Sequence, residues 1–460
     1  MRAMGIDIGT TTVSVILLDS ESGELFGSRT ISHQAFMEGK LPVNRVQDAE
    51  KLYSLTEKAA RELSEEFGKP DSIGLTGQMH GVLYVDKDGK AVTPLYTWQD
   101  GSGNEKYNET STYAQVLRKK VGTAATGYGM TTHFYLSHNN EIPKEAAKMT
   151  TISDYVAMRL CDRKTPVLAR DMAASWGCFD TENNQFLREK LETLGVRTDC
   201  IPEVTKGHGI IGNAVVDGLD GVPVMASLGD NQASFIGSVQ SLCDTVLVNI
   251  GTGSQVSFGT GGYYQTEGSI ELRPCTDDSY ILAGSGLCGG RAYAMLEQFY
   301  QQVLSAAGQT DSAALYGVME KEARAFLEKN SADAAWKIRT TFSGTRTNPE
   351  ERGSITNIGV QNFTPGAMTV VMIAGILEEL HEMYREMCRM TGSKALRLVG
   401  SGNGIRRNPL MQELAEKLFG MTLNIPKCQE EAAYGAALHS LVSAGLAGSL
   451  EEVQEKIKYI

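Results

Sequence analysis

The feature that most constrains the fold of this chain is a strand–turn–strand pattern that occurs twice. The first copy, residues 6–15, reads IDIGTTTVSV, and the second, residues 248–257, reads VNIGTGSQVS. In both copies β-branched residues flank a turn that begins Gly-Thr, and the two turns lie 242 positions apart in 460 residues. Because this spacing is about half of the chain, it predicts two domains with related openings, residues 1–240 and 241–460. Two unrelated hairpins that share a turn are the alternative.

Each half alternates patterns of strands and helices. Asp48 is expected to cap an amphipathic helix that ends at Gly68, and Asn408 is expected to cap another that ends at Gly420. Helical periodicity also fits residues 365–390 and 430–442. The alternation predicts an α/β fold with mixed sheets.

Charge and cysteine content exclude several classes of protein. The 43 basic residues against 55 acidic ones leave a net charge of −12, which argues against a nucleic-acid-binding surface. The eight cysteines include no C-x-x-C pair, so neither a zinc site nor a disulfide framework is indicated. The sequence contains no run of about 18 apolar residues, so no membrane span is predicted. We therefore expect a cytoplasmic protein with small-molecule partners.

The two Gly-Thr turns are suited to binding phosphate. Their backbone N–H groups and hydroxyls are natural ligands of phosphate oxygens, and a carboxylate at a strand end, such as Asp7, suits Mg²⁺ or its water. The second copy has Asn249 in place of Asp7, so only the first turn supplies a charge. No P-loop motif occurs. Residues 284–289 match G-x-G-x-x-G, but the acid-ending strand that a dinucleotide fold needs does not follow.

Three further segments carry side chains for chemistry on an alcohol. Asp230 follows a predicted strand and precedes a helix, where a carboxylate serves as a helix cap or accepts the proton of an attacking hydroxyl. Residues 78–81 (QMHG) and 98–100 (WQD) also follow strands, and combine hydrogen-bonding groups with apolar surface, as a polyol site requires.

Together these motifs resemble the FGGY carbohydrate kinases in order and spacing over nearly the whole chain. The matching segments are Asp7-x-Gly-Thr-Thr, Gln78-Met79-His80-Gly81, Trp98-x-Asp100, Gly229-Asp230-Asn231-Gln232, Gly251-Thr252-Gly253 and Gly400-x-Gly402. Residues 97–101 (TWQDG), 342–346 (FSGTR), 352–354 (RGS) and 401–409 (SGNGIRRNP) look most like the sedoheptulokinase branch. Xylulose kinases share Gln-Met-His-Gly.

The resemblance implies two actin-like (ribonuclease H-like) domains with an interdomain cleft, in which the first domain binds the sugar and the second binds ATP with Mg²⁺. It implies Asp230 as the catalytic base and Asp7 as the metal-side carboxylate. The residues that it implies for the sugar are Gln78, Met79, His80, Trp98, Asp100, Asp230 and Asn231. Those that it implies for the nucleotide are Thr10, Thr11, Thr12, Gly251, Thr252, Gly253, Gly290, Gly400, Ser401, Gly402, Asn403 and Asn408.

Two positions depart from the family pattern. The family usually has arginine where this chain has Ser102, which removes a bidentate donor, and glycine is common at the position of Asn357. We expect an ATP-dependent kinase acting on a ketose primary hydroxyl, with sedoheptulose as the first substrate and xylulose or another ketose as the alternative. A non-catalytic, ATP-switched actin-like protein is the alternative from another class. A homodimer is compatible with the sequence.

Overall fold

The computed structural model describes residues 1–266, 268–276, 279–309, 314–331, 336–345, 348 and 350–460. Arg346, which belongs to one of the resembling segments, lies outside this description. The chain forms two compact units. The first unit comprises Met1–Gln240, Arg273–Ser279 and Glu430–Lys458, and the second comprises Ser241–Leu272, Tyr280–Gln429 and Tyr459–Ile460.

These units differ from the predicted ranges 1–240 and 241–460 in one main respect. The first break falls at the predicted position, but residues 430–458 belong to the first unit. The reason is that helix Glu431–Ser443 packs on strands Arg2–Ile8 and Ser72–Gly77 and on helix Asp230–Ser238.

The main sheet of the first unit is mixed. Its strand order is Ile210–Asn213, Pro223–Met225, Ser72–Gly77, Arg2–Ile8, Thr12–Asp19 and Leu25–Ser32, and Leu228–Gly229 also pairs with Ser72–Gly77. Smaller strand groups pair Phe36–Met37 with Val46–Gln47 and Leu95–Tyr96, Leu83–Val85 with Lys148–Thr150, Leu168–Ala169 with Val204–Thr205, and Phe179–Asp180 with Gln185–Phe186.

The helices of the first unit surround this sheet and a second apolar cluster. Their bounds are Ala49–Phe67, Tyr113–Lys120, Gly129–His138, Ile152–Leu160, Arg170–Ser175, Arg188–Glu192, Asp230–Ser238, Glu431–Ser443 and Leu450–Gln454, with a 3₁₀ turn at Ser102–Asn104. Ile6, Ile73 and Leu63 lie in the sheet core, and Trp176 and Phe134 lie in the second cluster.

The second unit repeats the same design around its own core. Its main sheet has the order Ile270–Pro274, Tyr280–Gly286, Ser254–Thr260, Thr245–Ile250, Arg397–Ser401 and Leu423–Asn424, and Lys337–Arg339 pairs separately with Ser354–Thr356. The helices are Gly290–Ala306, Tyr316–Lys329, Pro365–Thr391, Asn403–Arg406 and Pro409–Phe419. The α/β prediction with mixed sheets is therefore confirmed.

Local signals placed several helix ends correctly. The Asp48 side chain accepts a hydrogen bond from the Lys51 N–H at the start of helix Ala49–Phe67, and Gly68 ends it. Asn408 caps helix Pro409–Phe419 in the same way. Asp230 differs from its expected capping role: Gly229 is the N-cap, and Asp230 is the first helical residue.

Candidate active site

Three parallel strands of the first unit bring the predicted catalytic segments to one edge of the sheet. Asp7 lies opposite Thr76 in one strand pair, and Leu228 lies opposite Thr76 in the next. The strands therefore end side by side, with Asp7 near one end, residues 78–80 after the second and Asp230 after the third. The edge formed by carboxyl ends of parallel strands is where ligands bind in open α/β sheets.

The carboxyl groups of Asp7 and Asp230 share an environment that disfavours negative charge. Burial raises the pKa of Asp230 to about 6. Burial, followed by the charges of Asp230 and Glu430, raises the pKa of Asp7 to about 7. Both groups are therefore poised to change protonation near neutral pH, as proton transfer requires.

Asp7 also has an unsatisfied oxygen. Its Oδ1 is buried and has no hydrogen-bond partner among the described residues. Such an atom normally costs stability unless it is paired, so it fits a cation or a cation-bound water. Within the described residues, no group of three or more His, Cys, Asp or Glu side chains could hold a metal. One carboxylate suits Mg²⁺, which takes its remaining ligands from phosphate and water.

The first Gly-Thr turn is tied to the predicted sugar segments. The turn closes through a bond from Gly9 N–H to the Thr12 carbonyl at 2.9 Å. Trp98 Nε1 donates to Thr10 Oγ1 at 2.9 Å, and Gln47 Nε2 donates to the Thr10 carbonyl at 2.8 Å. Thr11, between Thr10 and Thr12, is exposed. The turn therefore exposes Thr11 to solvent, while hydrogen bonds from Trp98 and Gln47 hold Thr10 in place.

Gln78 and Asp100 are placed differently from the sugar contacts expected of them. Gln78 is 1% exposed and its amide donates to Gln47 Oε1, so it supports the turn. Asp100 has no exposed surface and accepts hydrogen bonds from Asn44 Nδ2 at 3.0 Å and Ser102 N–H at 3.1 Å. Its carboxylate holds the loop residues Asn44 and Ser102 in place. Direct sugar contact by these two residues stays a prediction: Gln78 Oε1 is buried and has no hydrogen-bond partner among the described residues.

Met79 and His80 do lie beside the strand ends. A Cβ at Gly229 would stand only 2.8 Å from Met79 Sδ, so Met79 packs against the turn that leads to Asp230. His80 adopts a left-handed backbone, with φ of 71°, and its ring stacks on Tyr128 at 4.4 Å between centroids. A non-glycine residue in this conformation marks a constrained position of the kind found at functional sites.

Trp98 and Asn231 complete the set expected around the sugar. Trp98 is 46% exposed and so presents an aromatic face. Asn231 Oδ1 accepts a hydrogen bond from Arg273 Nη1 at 3.0 Å, and the Arg273 charge lowers the pKa of Asp230, although less than burial raises it. Arg273 could not be predicted from the sequence because it lies 43 positions after Asp230 and belongs to no motif.

The second Gly-Thr turn also closes on itself and meets a helix. Gly251 N–H donates to the Gly253 carbonyl at 3.0 Å, and Gly290 N–H donates to the Gly251 carbonyl at 2.9 Å. A Cβ at Gly290 would lie 2.4 Å from that carbonyl oxygen, so only glycine fits there without movement. The turn thereby abuts the start of helix Gly290–Ala306, where the helix dipole favours anions.

A cavity of about 910 Å³ opens beside this turn, within the second unit. Its size is in the range of small-molecule and cofactor sites. The lining residues are Gly251, Thr252, Gly290, Arg291, Tyr293, Ala294, Tyr316, Gly317, Glu320, Gly402, Asn403, Gly404, Arg407, Asn408 and Met411. Six of the residues predicted for the nucleotide are thus brought together: Gly251, Thr252, Gly290, Gly402, Asn403 and Asn408.

Other predicted nucleotide residues lie behind this cavity wall. Ser401 has no exposed surface, and its Oγ accepts a hydrogen bond from Asn249 Nδ2 at 2.8 Å. Gly400 is buried, with Ile425 at 2.9 Å from the position of a Cβ. Gly253 shapes the turn but does not line the cavity. These three residues therefore do not line the cavity, although Ser401 and Gly253 each adjoin in the chain a residue that does.

Two tyrosines that no motif predicts form an aromatic wall of the cavity. Tyr293 and Tyr316 are stacked, with ring centroids 5.6 Å apart and planes 19° from parallel. Tyr293 lies three positions after Gly290, so helical spacing places it one turn into the helix that begins there. Tyr316 comes from helix Tyr316–Lys329, for which no motif was available.

We expect Asp7→Asn to stabilise the protein at pH 8 in the presence of EDTA. The folded state holds the Asp7 proton more tightly than the unfolded chain, whose carboxyl titrates near about pH 4, so ionisation weakens folding as pH rises from about 4 to about 7. The gain should be about 2 to 4 kcal/mol at pH 8 and fall towards zero near pH 4.

Urea unfolding at several pH values measures this difference. Asp88→Asn, at an exposed hairpin position, is the matched control and should change little at any pH. An Asp7→Asn gain that is equal at pH 4 and pH 8 would contradict the assigned cause.

None of the helices in the described part of the chain is long and apolar enough to cross a bilayer.

Comparisons with known proteins cover nearly the whole chain. Residues 2–237 match the N-terminal domain of the FGGY family of carbohydrate kinases, and residues 246–444 match its C-terminal domain. A sedoheptulokinase from Mus musculus is 27% identical over 95% of this chain and 96% of its own length. A xylulose kinase from Escherichia coli (strain K12) is 25% identical over 90% of this chain and 84% of its own length.

A solved structure agrees with the fold. Plasmodium falciparum glycerol kinase with ADP superposes with a TM-score of 0.80 at 18% identity, covering 99% of this chain and 92% of that one. With both family domains matched in order, the chain belongs to the FGGY family of carbohydrate kinases.

Proposed function

We propose that this carbohydrate kinase transfers the γ-phosphoryl group of ATP to the terminal primary hydroxyl of a ketose, with sedoheptulose as the substrate and sedoheptulose 7-phosphate as the product. The observation that carries the proposal is the Asp230 carboxyl, which has a pKa raised to about 6 and lies at the strand edge beside Met79. Family membership disfavours the alternative of a non-catalytic nucleotide switch.

Asp230 acts as the general base in this proposal. A primary alcohol is a weak nucleophile near pH 7, so its proton passes to the Asp230 carboxylate while its oxygen bonds to the γ-phosphorus. The bond from that phosphorus to the bridging oxygen breaks, and ADP leaves. A base with a pKa near 6 is mostly ionised at neutral pH and still accepts a proton readily.

ATP binds in the cavity of the second unit. The stacked Tyr293 and Tyr316 offer an aromatic surface for the base, and the positive end of the dipole of helix Gly290–Ala306 favours the phosphates. The structure of Plasmodium falciparum glycerol kinase contains ADP, which supports an adenine nucleotide as the ligand. Asp7, with its unpaired buried oxygen, would hold Mg²⁺ directly or through water. When bound, this ion neutralises charge on the phosphate oxygens.

The first unit and the relatives both bear on which ketose is the substrate. The sedoheptulokinase from Mus musculus covers almost the full chain, which favours sedoheptulose. Xylulose is the second candidate because the Escherichia coli xylulose kinase also matches most of the chain. Because residue 102 is serine and not the family's usual arginine, no guanidinium from this position reaches a sugar. Ser102 is fully buried, and its Oγ accepts a hydrogen bond from Asn44 Nδ2.

A coupled ADP-release assay tests the substrate. Sedoheptulose, D-xylulose, D-ribulose, L-ribulose, fructose and glycerol are compared at equal concentrations, with Asp230→Ala protein as the control for contaminating kinases. We expect the highest kcat/KM with sedoheptulose, and phosphorus NMR of the product should show the phosphate on the terminal carbon. A higher kcat/KM with D-xylulose would establish the second candidate, and turnover of glycerol alone would overturn the ketose proposal.

A further inference from the structure

The short helix Arg170–Ser175 contacts two of the segments to which we assign chemistry in the first unit. Near its start, Asp171 Oδ2 accepts a hydrogen bond from the Gly229 N–H at 2.8 Å. At its end, the Ser175 carbonyl accepts from His80 Nδ1, and Ser175 Oγ accepts from the His80 N–H at 3.2 Å. One helix therefore fixes the residue before Asp230 and a residue of the sugar segment.

The bond from Gly229 to Asp171 lies at the point where the backbone turns into the helix of Asp230. Strand Leu228–Gly229 ends there, and no side chain caps the helix that follows. Asp171 is 1% exposed, so its carboxylate meets this N–H without competition from water. Hydrogen bonds between an N–H and a carboxylate are among the stronger ones in proteins. The position of the Asp230 carboxyl therefore depends on Asp171.

Asp171 is itself held in one orientation. Its other oxygen, Oδ1, accepts from His208 Nε2 at 2.8 Å, and neither side chain has any exposed surface. The His208 ring packs edge-on against His439, with centroids 5.1 Å apart. Burial lowers the pKa of His439 to about 3, so this neighbouring ring is uncharged at neutral pH. Both carboxylate oxygens of Asp171 are thus engaged, which leaves its side chain little freedom.

We propose that Asp171 is a positioning residue for phosphoryl transfer, which acts on the reaction only through the placement of Asp230. The inference rests on the proposed function of Asp230 as the base. Misplacement of a catalytic group by about 1 Å can cost about a hundredfold in rate. Asp171→Asn removes the charge that holds Gly229, and should lower kcat about tenfold to a hundredfold while the KM for ATP stays within about twofold.

A double-mutant cycle tests the inference. Asp171→Asn is measured alone and in the Asp230→Ala background. Because a positioning residue has nothing left to position once Asp230 is removed, the double variant should be no more than about twofold slower than Asp230→Ala. Equal fold-losses in the two backgrounds would overturn the inference. A near-normal kcat for Asp230→Ala itself would overturn the proposed base and this inference together.

Asp154→Asn is the matched control for the loss of a buried carboxylate. Asp154 is also 1% exposed, and it binds Ser227 and Thr151 in place of Gly229. If Asp171 acted only on stability, both variants would lower the melting temperature and leave kcat of the folded protein nearly unchanged. We expect a large loss of kcat for Asp171→Asn alone.

NMR gives a second test that does not depend on turnover, and its first part needs only the wild-type protein. Labelling with carbonyl-¹³C leucine and ¹⁵N glycine selects Leu–Gly pairs, and this chain has two, 194–195 and 228–229. The Gly229 amide proton, bonded to a carboxylate, should resonate downfield of Gly195, which bonds a carbonyl. In Asp171→Asn the Gly229 signal should move upfield and the Gly195 signal should stay. A Gly229 proton that is not downfield in the wild type would overturn the inference.

Discussion

Asp230→Ala is expected to lose about a hundredfold or more in kcat while it retains its affinity for ATP. Proton transfer by a positioned side chain contributes about a hundredfold to ten thousandfold, and the rate falls by that factor when the base is removed. The residues that line the nucleotide cavity all fall between 251 and 411, so this change leaves them intact. Steady-state kinetics with the best ketose, together with calorimetric titration of ATP, measure the two effects separately.

The pH dependence of the wild type provides a second measure of the same group. With the pKa of Asp230 raised to about 6, the base loses its charge in acid, and kcat/KM should fall as pH decreases through about 6. Asp217→Ala, at an exposed carboxyl, is the matched control and should behave as the wild type does. If Asp230→Ala kept more than about a tenth of the wild-type kcat, Asp230 would not be the base.

Gly435→Ala is expected to destabilise the first unit by about 3 kcal/mol or more. Helix Glu431–Ser443 lies in backbone contact with helix Asp230–Ser238, and a Cβ at Gly435 would stand 1.9 Å from the Ala233 carbonyl oxygen. The opposing helix matches this with Gly237, where a Cβ would lie 2.0 Å from the Glu431 carbonyl oxygen. Because both obstacles are backbone atoms, the helices must separate to admit a methyl group.

A helical glycine in open space provides the control for this substitution. Gly317 has no atom of the described residues within 4 Å of a Cβ, so Gly317→Ala should gain about 0.5 to 1 kcal/mol from its higher helix propensity. Urea unfolding of the two variants compares the effects directly. If Gly435→Ala had the same free energy of unfolding as the wild type, the two helices would be able to move apart freely, and the prediction would be wrong.

Local signals in the sequence were enough to predict much of the fold. The two strand–turn–strand copies occupy Arg2–Ile8 with Thr12–Asp19 and Thr245–Ile250 with Ser254–Thr260. Predicted helices at 365–390 and 430–442 were found as Pro365–Thr391 and Glu431–Ser443. The segment 82–92, with its Asp88-Gly89 turn, also predicts a hairpin, and the structure forms one there: Val85 bridges Ala91, and the Val92 N–H donates to the Tyr84 carbonyl. Leu83–Val85 pairs with Lys148–Thr150 as well, which the sequence does not indicate.

The candidate site shows the same division between residue type and placement. Motifs pointed to Asp7, Asp230 and His80 because a motif consists of a residue type and its neighbours along the chain, both of which the sequence shows. The sequence does not show that Asp100 and Gln78 are buried and bonded to Asn44 and Gln47, because burial depends on which loops fold over them.

The sequence by itself determined the order of strands and helices, the two Gly-Thr turns and the family, since these depend on residues close together in the chain. Tertiary structure alone decided that residues 430–458 return to the first unit, that Tyr316 joins Tyr293 and that Asp171 holds Gly229. The last of these joins residues 58 positions apart. Contacts of this kind arise from the packing of whole elements, and no local pattern records them.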